Sequence, residues 1–265
     1  MLVHVAFTPG EHTPAPVGIV VDVLRATSTM TQALASGYER VLCCAEIDEA
    51  RALAETAGPA MLAGERRLEA IPGFDFGNSP REVAAPAPVP TLILTTTNGT
   101  KLLVSAAARF EHVYVGSLLN LDAVAEAARS HGEDVAVLCA GILGELALDD
   151  AYCAGRIAEA VGGERTDSAT AAVRLAAGFA DAREGLGSGR SAWNLRRNGL
   201  DDDIEWCARE NALAVAPRFV GTVGPAAEVR LWAPEKEGGL PAARGLPPRK
   251  PAPWLGELPE TGADA

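Results

Sequence analysis

The chain has 265 residues and a formal net charge of -12, long enough for one large α/β domain or two smaller ones around a substantial core. So acidic a protein is not expected to bind nucleic acid or anionic membranes broadly, because both need a basic footprint, and any anionic ligand has to be met by a local positive site. No run of about 18 apolar residues and no basic-then-apolar leader is present, and the five cysteines are odd in number without C-x-x-C spacing, so a cytoplasmic protein with reduced, buried cysteines is expected.

Taken in chain order, the runs "GIVVDV" (18–23), "RVLCCA" (40–45), "AMLAGE" (60–65), "TLILTTT" (91–97), "HVYVGS" (112–117) and "DVAVLCAG" (134–141) read as strands. They are continuous apolar runs rather than alternating ones, as in parallel strands covered on both faces. Helical stretches fall between them: 28–36 stopped by Gly37, 47–57 stopped by Gly58, 99–110, and 121–132 after Asn120 as a cap. Beyond Gly141 the pattern turns helical, with 146–163, 168–182, 191–199 and 201–211. This alternation predicts an α/β protein with a largely parallel or mixed sheet. We expect an N-terminal α/β subdomain over 1–116, a second over 117–232, and a tail over 233–265 whose Pro/Gly-rich composition argues against a functional role.

Four stretches could carry chemistry. In "DVLRATST" (22–29), Asp22 ends a buried strand, Arg25 follows three residues on, and Thr27 and Ser28 open the next helix. A helix N-terminus and an arginine fork suit a phosphate or carboxylate. Equally, Thr27 or Ser28 could cap the helix while Asp22 pairs with Arg25. In "TTTNGTKLL" (95–103), Asn98-Gly99 permits a tight turn, and the amides of Gly99, Thr100 and Lys101 could converge on an anion.

The long stretch 64–83 leaves a strand at Glu65 and ends in a capping box, Ser79 to Glu82. Its Glu65 and Asp75 are candidate metal ligands; Arg66, Arg67 and Arg81 are candidate anion partners. In 139–155, Asp149 and Asp150 open a helix and point about 100° apart, so that one could face a cleft while the other caps; Asp150 could complete a Mg²⁺ site built from carboxylates on separate loops. The four histidines lie outside these turns. Carboxylates, a metal and oxyanion donors together suit phosphoryl transfer.

The motifs "DVLRATST" (22–29), "GER" with "GFDFGNSP" (64–80), "TTTNGT" (95–100) and "LDDAYCAG" (148–155) resemble those of the 2-phosphosulfolactate phosphatase family, and "DDDIEWCAREN" (201–211) is similar to its C-terminal helix with an Asp-Ile pair. The resemblance implies a three-layer α/β/α fold, with two similar subdomains flanking the site as one form of it. It implies a Mg²⁺-dependent acid phosphatase converting 2-phospho-3-sulfolactate to 3-sulfolactate and phosphate, a step toward coenzyme M. On this reading Asp22, Glu65 and Asp150 hold Mg²⁺ or orient an attacking water, while Arg25 and the 98–101 amides grip the phosphoryl oxygens. Thr27, Ser28 and Thr100 add hydroxyls, and Arg66, Arg81 and Lys101 supply further positive charge. Direct attack by water is favoured over an aspartyl-phosphate route, because Leu24 stands where that route places a second aspartate. Rival readings are a phosphatase of another hydroxy acid and a metabolite-binding protein without turnover. The apolar content is compatible with a homodimer.

Overall fold

A computed structural model describes residues 1–232. Strands β1 (Leu2–Ala6), β2 (Val17–Val21), β3 (Arg40–Cys44), β4 (Ala60–Arg66), β5 (Glu69–Ala70), β6 (Thr91–Thr95), β7 (His112–Gly116), β8 (Val135–Cys139), β9 (Glu164–Arg165), β10 (Pro217–Val223) and β11 (Ala226–Leu231) form one mixed sheet. Its order is β5-β4-β6-β3-β11-β10-β7-β2-β8-β1-β9. Helices α1 (Ala26–Ala35), α2 (Ile47–Ala54), α3 (Gly99–Ala107), α4 (Leu121–Arg129), α5 (Leu148–Val161), α6 (Asp167–Ala176), α7 (Ala182–Gly187), α8 (Arg190–Arg197) and α9 (Asp201–Cys207) cover it. The class is α/β, consistent with a three-layer α/β/α arrangement.

The six predicted strands all form, within two residues of the predicted ends. The stretch 168–182 divides: α6 stops at Ala176, and α7 starts afresh after Asp181, whose side chain accepts from the Glu184 amide at 2.9 Å. The Ser79–Glu82 box closes a turn rather than a helix, with the Ser79 amide donating to Glu82 Oε2 at 3.3 Å. Five strands were not anticipated, of which β5 and β9 are only two residues long. β1 is short and interrupted by His4, and β10 and β11 carry the alternating, half-polar pattern of a hairpin rather than an unbroken apolar run. That hairpin has a sequence signal, a Gly224-Pro225 turn between two alternating stretches.

The hairpin decides the topology. β4, β6 and β3 form one parallel block, and β7, β2, β8 and β1 another. Between the blocks lie three antiparallel junctions, β3 to β11, β11 to β10 and β10 to β7, so the two blocks run in opposite senses. The carboxyl ends of a flat sheet of this kind would point apart. Here they meet, because the blocks wrap around α1 and α3. Val20, Val115 and Leu138 of one block and Val41, Cys43, Leu92 and Leu94 of the other share a single core with Met30 of α1 and Leu103 of α3. The alternate residues on each strand face outward. Ile19, Val21 and Val137 pack under α4 and α5, and Leu42 and Ile93 pack under α2. α1 is therefore buried from Ala26 to Leu34, polar residues included. All five cysteines are buried and free. The sheet draws strands from both sides of the 116/117 position. The expected tail over 233–265 lies outside the described residues.

Candidate active site

Convergence of the strand ends places Asp22 between two helix N-termini. Its Oδ1 accepts from the Ala26 amide at 3.3 Å, and the Gly99 amide also donates to its carboxylate. One carboxylate thus caps both α1 and α3, where the helix dipoles favour negative charge. Neither helix has a side-chain cap from its own preceding residue, Arg25 or Asn98. The approach is close: a Cβ on Gly99 would sit 2.6 Å from Asp22 Oδ2 and 2.6 Å from the Ala26 Cβ. Gly99→Ala should therefore push the two turns apart, costing about 1–3 kcal/mol of stability and most of the activity, read by thermal melting and by turnover of the same preparation.

Asp22 lies deep among protein atoms yet retains exposed surface, as a carboxylate on the floor of an open cleft does. Burial, and then the charges of Asp149 and Glu65, raise its pKa to about 7 against the opposing amide bonds. Asp149, in the first turn of α5, is raised by burial to about 6 while Ser191 Oγ donates to its Oδ1 at 2.7 Å. The pair is one acidic unit at the junction of three helix N-termini.

The other expected ligands are engaged by backbone amides. Asp150 is raised by burial and by Asp149 and Asp22; its Oδ1 accepts from the Val23 amide and its Oδ2 from the Gly141 amide, both at 2.9 Å. It ties the end of β2 to the end of β8. Glu65 Oε1 accepts from the amide and hydroxyl of Thr97, each at 2.9 Å, and Oε2 accepts from the Leu68 amide at 2.9 Å. It fixes the 95–99 turn and the hairpin joining β4 to β5, where Arg67 and Leu68 have φ of 55° and 70°. Asp75 is exposed, and its Oδ2 accepts from the Leu62 amide at 2.8 Å, strapping the loop to β4.

Arg25 does not pair with Asp22. Its Nη1 meets Asp203 Oδ2 at 2.6 Å with both side chains buried, and Ser79 Oγ donates to Asp203 Oδ1 at 2.5 Å. The Arg25 Nε is buried and has no acceptor in the protein, a donor available to an oxyanion. The hydroxyls close the turns: Thr27 Oγ1 accepts from the Asp22 amide at 3.2 Å, Ser28 Oγ donates to the Val23 carbonyl at 2.8 Å, and Thr100 Oγ1 donates to the Thr96 carbonyl at 3.2 Å. Arg66 donates to the Glu65 and Ala45 carbonyls and to Thr95 Oγ1, bracing β4 against β6. Arg81 is exposed and pairs with Asp202 at 3.0 Å, and Lys101 is exposed and pairs with Glu46 at 3.4 Å. Lys101, Thr97 and Asn98 also line a cavity of about 210 Å³ with Ala140 and Gly144, beside the Asp22 turn.

The structure thus gathers Asp22, Arg25, the 98–100 turn and the start of α5, and leaves Arg66, Arg81 and Lys101 around them. Reading the residues alone favoured Asp150 over Asp149 as the metal-site residue. Both aspartates interact electrostatically with Asp22, but Asp150 has both oxygens on backbone amides while Asp149 Oδ1 accepts from Ser191 Oγ. Asp203 and Ser79 were missed as partners of Arg25; the Asp-Ile pair of 201–211 was the available signal.

The family model described as 2-phosphosulpholactate phosphatase matches residues 4–222. The chain belongs to the 2-phosphosulfolactate phosphatase family. It is 38% identical over 240 residues to a probable 2-phosphosulfolactate phosphatase of Deinococcus radiodurans, covering 88% of this chain and 100% of the relative. It is 38% identical to the probable enzyme of Thermus thermophilus over 85% and 98% of the two chains. It is 39% identical to the 2-phosphosulfolactate phosphatase of Methanothermobacter thermautotrophicus over 76% and 85%. The family's name places its members among phosphoric monoester hydrolases, in accord with an α/β chain in which no helix of the described residues is long and apolar enough to cross a membrane.

Proposed function

We propose that this chain hydrolyses 2-phospho-3-sulfolactate to 3-sulfolactate and phosphate, with Mg²⁺, as a step toward coenzyme M. Family membership supports the phosphatase chemistry. The observation that carries the residue assignment is the Asp22/Asp149 pair held at three helix N-termini, in the same β2–α1 turn as Arg25 with its buried, unaccepted Nε.

The donor set fits magnesium. It is all oxygen, and Asp22 keeps exposed surface; Mg²⁺ binds through one or two carboxylates and keeps several waters. Asp22 and Asp149 are the residues we assign to hold it. When bound, the ion would neutralise charge on the phosphoryl oxygens and lower the pKa of water. Asp22, the member of the pair that keeps exposed surface, is the residue we assign to take the proton of the attacking water. Glu65 and Asp150 hold the two turns at their required separation, because their oxygens already accept backbone amides. Arg25 binds a phosphoryl oxygen. Lys101 and Asn98, in the adjoining cavity, meet the carboxylate or sulfonate of the substrate.

The assay is phosphate release from 2-phospho-3-sulfolactate, from other phosphorylated hydroxy acids and from an aryl phosphate, each with Mg²⁺ and with EDTA. We expect turnover selective for the sulfonate and reduced at least about a hundredfold by EDTA. Equal turnover in EDTA would remove the metal assignment, and preference for another ester would remove the substrate.

A further inference from the structure

A second cluster lies at the opposite end of the sheet. His112 opens β7, and His131 and Glu133 lie in the connection from α4 to β8. One ligand atom from each, two imidazole nitrogens and a carboxylate oxygen, lies within 4.8 Å of the others. Among the described residues this is the group of three such side chains that is drawn so close. The register of β2 on β7 pairs His112 with Val17, at the start of the strand that ends before Asp22. The cluster is therefore about 17 Å from the phosphatase site, one strand length away.

From this geometry we propose that His112, His131 and Glu133 form a second cation site, selective for a borderline transition metal such as Zn²⁺, Co²⁺ or Ni²⁺ over Mg²⁺. Two imidazoles and one carboxylate are a recurrent protein ligand set for Zn²⁺, with water completing the shell. Imidazole nitrogen discriminates against Mg²⁺, which prefers oxygen. The two sites thus differ in donor chemistry, and one protein can sort two cations between them.

The surroundings supply a support. Tyr114 Oη lies 2.8 Å from His131 Nε2, and Arg218 of β10 donates to the same phenol. A hydrogen bond between this phenol and Nε2 orients the imidazole, as the outer partners of metal-bound histidines do, and Nδ1 is the nitrogen we assign to the cation. The His112 and His131 rings are stacked, with centroids 4.0 Å apart and planes at 21°. Their in-plane lone pairs therefore run nearly side by side, and donors on one tetrahedral ion stand only about 3.4 Å apart at Zn–N bonds of about 2.0–2.1 Å. Binding requires the rings to splay and the three donors to close by up to about 1.5 Å. Both histidines are half-buried and Glu133 is exposed, so side-chain rotation alone achieves it. The ion would clamp the start of β7 to the α4–β8 connection.

The test is calorimetric titration of the full chain, stripped with EDTA and dialysed into excess Mg²⁺, with Zn²⁺, alongside visible absorption with Co²⁺. The unmodified chain and the His112→Ala, Glu133→Gln and Asp22→Asn variants are compared. We expect one equivalent of Zn²⁺ to bind despite the Mg²⁺. His112→Ala should weaken it roughly tenfold or more and abolish the Co²⁺ bands, Glu133→Gln should weaken it several-fold, and Asp22→Asn should leave it unchanged. Glu133 is exposed, so its variant reports on the site even if His112→Ala folds poorly. No Zn²⁺ binding in the unmodified chain, unaltered affinity in Glu133→Gln, or loss of binding in Asp22→Asn would each overturn the proposal.

Discussion

Asp22→Asn should abolish turnover and at the same time make the metal-free protein more heat-stable at pH 8. The activity loss follows from removing the group assigned to accept the proton of water, a contribution of about 10²–10⁴-fold. The stability gain follows from electrostatics. Asp22 has a folded-state pKa of about 7 against 3.8 for the free side chain, and Asp149 one of about 6. A folded-state value above the unfolded one means that the native state binds the proton more tightly. That contribution is complete below about pH 4 and is lost as pH rises through about 7.

In EDTA the unmodified chain should therefore melt at progressively lower temperature between pH 5 and pH 8. Asparagine carries no charge there. It should match the unmodified chain near pH 5 and melt several degrees higher at pH 8, corresponding to about 1–3 kcal/mol. This is less than the full pKa difference implies, because Asp22 is partly solvated and one amide bond is weakened. Parallel melting curves for the two proteins across this range would show that Asp22 is not the carboxylate under strain. Adding Mg²⁺ at pH 8 should raise the melting temperature of the unmodified chain more than that of the variant.

The same residues show what local sequence can and cannot specify. The β2–α1 and β6–α3 turns were legible because an apolar run ending in Asp22, or in Thr95 to Asn98, followed by a helix start is a local pattern. That these turns face each other was not, since it depends on a hairpin more than a hundred residues later that reverses the sense of one parallel block. The roles of the charged side chains depend on the same long-range geometry. Whether Glu65 touches a ligand or the Thr97 amide, and whether Arg66 faces an anion or the Ala45 carbonyl, is fixed by strand register rather than by residue type. Composition favoured Arg66, Arg81 and Lys101 as anion partners; Arg81 pairs at the surface with Asp202, and Lys101 pairs with Glu46 while lining the cavity. The buried cation is Arg25, paired with the buried Asp203 of α9.

Asp203→Ala should be the most destabilising single change at the site. It removes the carboxylate from a guanidinium that is nearly buried, with Arg25 and Asp203 at 3% and 1% exposure. Breaking such a pair from one side costs about 3–5 kcal/mol, or a fall in melting temperature on the order of 10 °C for a domain of this size. It also releases Ser79, whose hydroxyl donates to the other oxygen, so the 71–84 loop loses its buried tie to α9 and keeps the exposed Arg81–Asp202 pair. Replacing both members of the pair with apolar residues distinguishes stability from function. Arg25→Met with Asp203→Leu leaves no buried charge and should recover most of the lost stability, since apolar replacements of buried ion pairs are often neutral or better. Activity should not return, because the phosphoryl group would still lack its arginine. In Asp203→Ala itself, substrate affinity should fall with kcat, as Arg25 is no longer held in place. Unaltered KM and kcat in a merely destabilised Asp203→Ala would mean that the buried pair is a strut between α1 and α9, and that the phosphoryl oxygens are met elsewhere.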